Sequence, residues 1–170
     1  MLLPPEDWVV KHFNKIKKDG IVMDMAAGNG RHTQFLLDKG YNVIAVDQNI
    51  TNLINLEDHP KLTIIKANLE TNSCAPFNRR VFQGIVVVNY LYRPIFQQII
   101  DMLDIGGILI FQTFMVGNEL YGRPRNPDYL LLKNELKKFF SKKLFILDFE
   151  QGYSDCRSKA VTQKICAIKK

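Results

Sequence analysis

The residues best suited to chemistry lie in the run Val22-Met23-Asp24-Met25-Ala26-Ala27-Gly28-Asn29-Gly30-Arg31, where a short apolar stretch gives way to a polar one. Gly28 and Gly30 carry no Cβ, so the backbone there can approach a ligand closely. A dinucleotide fingerprint needs G-x-G-x-x-G. The third position here is Thr33 counted from Gly28 and Arg31 counted from Ala26, so both registers fail. Asp24 would repel a pyrophosphate and attract a sulfonium or ammonium group. Asp47 closes the next apolar run. A carboxylate at that place in nucleotide-binding α/β folds accepts ribose hydroxyls. Asp24 and Asp47 together point to an adenosine ligand with positive charge and no phosphate.

A second set of polar and aromatic groups follows later: Asn89, Tyr90, Tyr92 and Arg93, then Gln112 and Thr113, then the stretch 117–127 with Arg123 and Arg125. Two arginines in a proline-stiffened loop suit a planar anion, either carboxylate or phosphate. The alternative, equally open, is that they pair with Glu119 and Asp128 and brace the loop. His32 reads as a helix-capping or surface residue, and His12 and His59 as structural or solvent-facing. Cys74, Cys156 and Cys166 make no CxxC pair and no zinc spacing, so neither a metal site nor a disulfide framework is expected. They read as small hydrophobes. Trp8 and Phe13 read as residues that pack the first helix on a sheet.

These groups need strand ends and loops to hold them. Apolar spacing at Val9, Phe13 and Ile16 predicts a helix over 6–18, ended by Gly20. Further helices are expected over 31–39, 50–56, 95–103 and 133–140. Strands are expected over 21–25, 42–46, 62–66, 82–88, 108–114, 144–149 and 161–168. The β-branched run 82–88 suits a strand buried on both faces. Gly106-Gly107 reads as a turn before the fifth strand. Alternating strands and helices indicate a doubly wound, mostly parallel sheet. The last two strands lack a helix between them, so a terminal hairpin with one antiparallel strand is expected. Two irregular stretches stand out: 69–80 replaces a crossover helix, and 116–131 is long enough to be either functional or disordered.

A length of 170 residues suits one domain over 1–170, and 46% hydrophobic with 24% charged residues is ordinary for a globular chain. No apolar run reaches the ~18 residues of a membrane span, and the N-terminus lacks the pattern of a leader. Scattered thiols suit a reducing compartment. A cytoplasmic protein without membrane contact is therefore expected. The net charge of +6 raises the prospect of an anionic partner. The basic residues, however, fall in separate groups: Lys11, Lys15, Lys17 and Lys18; Arg79 and Arg80; 133–143; Lys169 and Lys170. Solvated helix faces account for such groups, so a nucleic-acid partner is open but not favoured. Nothing in the sequence fixes the oligomeric state.

D-x-A-x-G-x-G after a strand, with an acid closing the next strand, resembles class I S-adenosylmethionine-dependent methyltransferases over nearly the whole chain. Asn68-Leu69, Asn89-Tyr90 and Gly106-Gly107 extend the resemblance. Ala26 stands where the family's first glycine is usual, and Asn68 where aspartate is usual. The resemblance implies a three-layer α/β/α Rossmann-like domain, its seven-stranded sheet in the order 3-2-1-4-5-7-6. It implies S-adenosylmethionine as cofactor and S-adenosylhomocysteine as product. By carry-over, Asp24, Ala26, Gly28 and Gly30 line the methionine end, Asp47 and Gln48 the ribose, and Asn68 and Leu69 the adenine. Asn89 borders both cofactor and acceptor. Tyr92, Arg93, Arg123 and Arg125 join it as catalytic candidates around the transferred methyl.

The stretch Tyr90-Leu91-Tyr92-Arg93-Pro94, taken with the following loop, is similar to small stand-alone methyltransferases that look like the tellurite-resistance enzymes. In such a displacement the leaving group is a neutral thioether. Alignment supplies much of the rate, and a base is needed only for a protonated nucleophile of high pKa. The expected acceptor is a small molecule, anionic or not. An RNA or protein acceptor, or a non-catalytic cofactor-binding role, is the alternative.

Overall fold

The apolar runs become the middle of a seven-stranded sheet in the computed structural model, which describes residues 3–71, 81–156 and 158–170. Cys74, Arg79 and Arg80, with most of the irregular stretch expected over 69–80, lie outside the described residues. β1 (Ile21–Met25), β2 (Asn42–Asp47), β3 (Leu62–Lys66), β4 (Phe82–Val88) and β5 (Leu103–Phe114) pair in parallel. β7 (Ala160–Lys169) runs antiparallel to both β5 and β6 (Leu144–Ser154). The order is β3-β2-β1-β4-β5-β7-β6, as expected from the sequence.

Period-two alternation divides the core into two layers. Val22, Val86, Val88, Ile108 and Ile110 face α1 (Asp7–His12) and α2 (Arg31–Asp38), where Trp8, Val9, Leu36 and Leu37 meet them. Met23, Met25, Ile85, Val87, Leu109 and Phe111 face α3 (Phe96–Met102) and α4 (Glu135–Phe140). Trp8 packs on the sheet and donates from Nε1 to the Ile165 carbonyl at 3.1 Å. No helix among the described residues is long and apolar enough to cross a membrane.

Several expected boundaries change. The first helix stops at His12 and tightens into a 3₁₀ turn over Phe13–Lys15, and the helix expected over 50–56 is only the 3₁₀ turn Ile54–Leu56. Gly106-Gly107 does not precede β5 but lies inside it. The pairing jumps there from Phe82↔Leu103 to Gly84↔Ile108, a bulge. A Cβ on Gly107 would stand 2.8 Å from the carbonyl oxygens of both Asp104 and Phe82, so the bulge needs glycine.

The stretch 116–131 is folded. Val116 N–H donates to the Leu131 carbonyl and Leu131 N–H to the Phe114 carbonyl, closing its base. Buried Asn118 fills it, donating to the Arg123 carbonyl at 3.2 Å and accepting the Val161 amide at 3.0 Å.

Gly107→Ala is expected to cost about 2–3 kcal/mol through this overpacking. Gly122→Ala, where an added Cβ has nothing within 4 Å, should stay within about 0.5 kcal/mol of the parent. Urea midpoints at unchanged slope would check both.

Candidate active site

The chain leaves β1 for β2 and β3 on one side and returns to β4 on the other. The carboxyl ends of β1 and β4 therefore bound the crevice where open α/β sheets bind ligands. Ala26 and Asn89, the residues just beyond those strands, both take left-handed backbone with φ of +56° and +55°. Two strands thus turn away sharply at the same level and leave a gap between them. Gly28 and Gly30 continue the first turn with φ of +58° and +80°. A Cβ on Gly30 would meet the Leu53 side chain at 2.8 Å.

Asp47, at the end of β2, holds the loop that follows β1. Its Oδ2 accepts the Gly28 amide at 2.8 Å and its Oδ1 the Asn49 amide at 2.9 Å. The carboxylate is thereby fixed in orientation, with a lone pair on each oxygen still to offer. It lines the crevice with Ala26, Gln48, Asn68, Leu69, Glu70 and Tyr90. Among the described residues that lining holds two carboxylates and no lysine or arginine. Asn68 Oδ1 accepts the Glu70 amide at 2.9 Å, which sets the turn that presents Leu69.

Asp24 does not line the crevice. It is 2% exposed and accepts the Thr33 hydroxyl at 2.6 Å. Burial pushes its carboxyl up to about 6; the Thr33 hydrogen bonds oppose this, the nearby Asp47 carboxylate adds to it, and Arg31 opposes it weakly. Asp24 thus holds a proton more readily than an ordinary aspartate and ionises more fully when a cation arrives beside it.

The later candidates separate. Asn89 lines the cavities on both sides of the strand end, one with Glu6, Trp8 and Gln112, the other with Tyr90, Thr113, Pro124 and Tyr129. Arg93 is held by the chain itself. Its guanidinium donates to Glu135 Oε1 at 2.6 Å and Oε2 at 3.1 Å, and to the carbonyls of Asp128 at 2.7 Å and Leu130 at 2.9 Å. With its fork engaged in this way it braces the 116–131 loop. The Tyr92 hydroxyl donates to the Glu70 carbonyl at 3.0 Å and ties two loops together.

Arg123 and Arg125 are exposed, and among the described residues neither pairs with Glu119 or Asp128. Glu119 instead accepts the Gly117 amide. The bracing once open to these two arginines is supplied by Asn118 and Arg93.

Glu6 lines the cavity beside Asn89 and Gln112, and no sequence pattern marks it. Its Oε1 meets Arg31 Nη2 at 2.7 Å, its Oε2 accepts from Gln112 Nε2 at 3.0 Å, and its amide donates to His32 Nε2 at 3.2 Å. Buried His32 therefore anchors the N-terminal segment and is not a surface residue. Cys166 is buried and its thiol is pushed up to about 12 by burial, as for a small hydrophobe. Cys156 departs from that reading, being exposed at the cavity beside Trp8.

A comparison by sequence with curated proteins gives no match. By structure, the chain is similar to TehB from Haemophilus influenzae, with TM-score 0.78 and 19% identity, over 98% of this chain and 63% of that one. It is similar to a SAM-dependent methyltransferase from Methanosarcina mazei, with TM-score 0.73 and 17% identity, over 98% and 99% of the two chains. A third similar structure is the Burkholderia thailandensis 1,6-didemethyltoxoflavin-N1-methyltransferase with bound 1,6-didemethyltoxoflavin and S-adenosylhomocysteine, with TM-score 0.70 and 14% identity, over 95% and 76%. At these identities the likeness shows the fold, and the chain spans 63% of the length of the Haemophilus protein. The pattern of the tellurite resistance protein TehB matches residues 5–154, nearly the whole chain, and the chain belongs to the TehB family.

Proposed function

We propose that this chain is an enzyme that transfers a methyl group from S-adenosylmethionine to a small acceptor. The observation that carries the reading is the crevice at the β1/β4 switch point, lined by Asp47 and Glu70 and, among the described residues, by no cationic side chain. Such a lining fits a cationic nucleoside without phosphate and disfavours a pyrophosphate. Bound there, S-adenosylmethionine supplies an electrophilic methyl carbon on a sulfonium sulfur and leaves as S-adenosylhomocysteine.

The chain's own residues do the rest. Asp47, held by two backbone amides, accepts ribose hydroxyls with Gln48 alongside. Leu69 offers an apolar face to the adenine, and Asn68 a polar edge. Ala26, Gly28 and Gly30 keep the backbone low over the methionine end, and buried Asp24 supplies negative charge near it. Asn89 stands between the two cavities that can hold an acceptor, and Tyr90 and Glu70 line both the cofactor crevice and the second of them. Arg123 and Arg125, exposed and without carboxylate partners among the described residues, capture an anionic group on that acceptor. The family's description makes tellurite the first acceptor to assay. A nucleic-acid acceptor calls for a continuous basic rim at the crevice, and the carboxylates of Glu6, Asp47 and Glu70 favour the small acceptor instead.

Calorimetric titration tests the reading. Binding of S-adenosylmethionine without binding of NAD is expected, and the reverse, or binding of neither, would overturn it. Asp47→Ala should weaken cofactor binding at least about tenfold, whereas Arg125→Ala should leave it within about twofold and raise the acceptor KM. Equal losses of cofactor in both variants would put the crevice in the wrong place.

Asp24 gives a pH signature. Its folded pKa, about 6, lies above the ordinary 3.8, so between those values the native state keeps a proton that the unfolded chain has released. Its contribution to stability is complete below pH ~4 and is lost as pH rises through ~6. Asp24→Asn should remove that loss, raising stability at pH 7 by up to about 3 kcal/mol while weakening the binding of the cationic cofactor. Thermal midpoints measured across pH 4–8 would read the first effect, and calorimetry the second.

A further inference from the structure

A groove on the outer side of α4 has no place in methyl transfer. Its floor is Leu132 and Phe139, and its rim is Lys133, Lys138 and Lys142. Leu132 is 62% exposed. Phe139 is backed by Phe96 and Phe140 with ring centroids at 5.2 and 5.3 Å, so the floor is rigid. The acid in the lining, Glu135, is already used: it accepts from Arg93 through both oxygens and from the Leu132 amide at 2.7 Å. Among the described residues none of the three rim lysines has a carboxylate partner. Lys138 lies on α4 and Lys142 just beyond its end, both exposed and both bordering the groove. Nearby Lys137 lies over the Phe149 ring at 5.4 Å and adds to the positive field. The free chain thus exposes apolar surface under unbalanced like charge.

We propose that this groove docks a short acidic segment of a partner protein. One large apolar side chain rests on Leu132 and Phe139, and flanking carboxylates meet Lys133, Lys138 and Lys142. Such a segment covers the exposed apolar floor and balances the lysine charge together. A floor already formed by packed side chains takes a single apolar side chain without reorganisation. The proposal is independent of the methyl-transfer reading.

The test is an amide NMR titration of the isotope-labelled full chain with a short blocked peptide of aspartate and glutamate around a single phenylalanine. Saturable shifts centred on Leu132, Lys138 and Phe139 are expected, with binding at least about tenfold weaker when serine replaces the phenylalanine. The double variant Lys138→Glu/Lys142→Glu changes two exposed positions. It should lose the acidic peptide and bind the matching lysine peptide, with its thermal midpoint preserved. Shifts that never saturate, equal binding of the serine peptide, or shifts produced only by phosphatidylserine vesicles would each overturn the proposal. So would a groove covered by self-association of the chain.

Discussion

The site depends on one hydrogen-bonded carboxylate. Asp47 closes β2 and takes the Gly28 amide at 2.8 Å, so the end of one strand holds the loop that follows its neighbour. A charged acceptor for a backbone N–H is worth more than a neutral one. The left-handed turns at Ala26, Gly28 and Gly30 lift the loop clear of the sheet, and the Asp47 contact fixes how far. The position of the Gly28 loop over the crevice follows from that contact. Its second carboxylate oxygen is occupied by the Asn49 amide, which leaves the group little freedom to turn away.

Around this centre the chain uses long-range polar clamps where local structure is weak. α1 is short, with six residues, and a helix of that length has little stability alone. Glu6 therefore anchors its start to Arg31, His32 and Gln112 at once, and Trp8 anchors its middle to β7. α4 is equally short. Buried Gln163 on β7 accepts the Leu136 amide at 2.7 Å and donates to the Leu132 carbonyl, and Arg93 grips Glu135 from the other side. The loop between β5 and α4 is held in the same way by Asn118. Arginines that pattern alone makes look alike thus divide by partner: Arg93 is structural because a buried-side carboxylate and two carbonyls face it, while Arg123 and Arg125 face solvent.

The sequence by itself determined the sheet and the crevice. Periodicity and β-branched runs locate the strands, and glycines with flanking acids locate the ligand loop, because these features act between residues close in the chain. It missed the bulge at Gly106-Gly107, since a glycine pair reads equally as a turn or as an irregular strand. Only the neighbouring carbonyls of Asp104 and Phe82 decide between them. It also overextended the first helix, whose length is set by where its side chains find the sheet.

What only the tertiary structure decided is which polar groups are free. Glu6 and Gln112 meet across 106 positions of sequence, and Arg93 and Glu135 across 42. No local spacing encodes such pairs. A side chain's chemistry is set by whether its hydrogen-bonding capacity is already spent, and that depends on neighbours brought from elsewhere in the fold. Residue types and spacing therefore marked the loop after β1 in advance, while the division of the later arginines between those braced by the chain and those facing solvent waited on the packed chain.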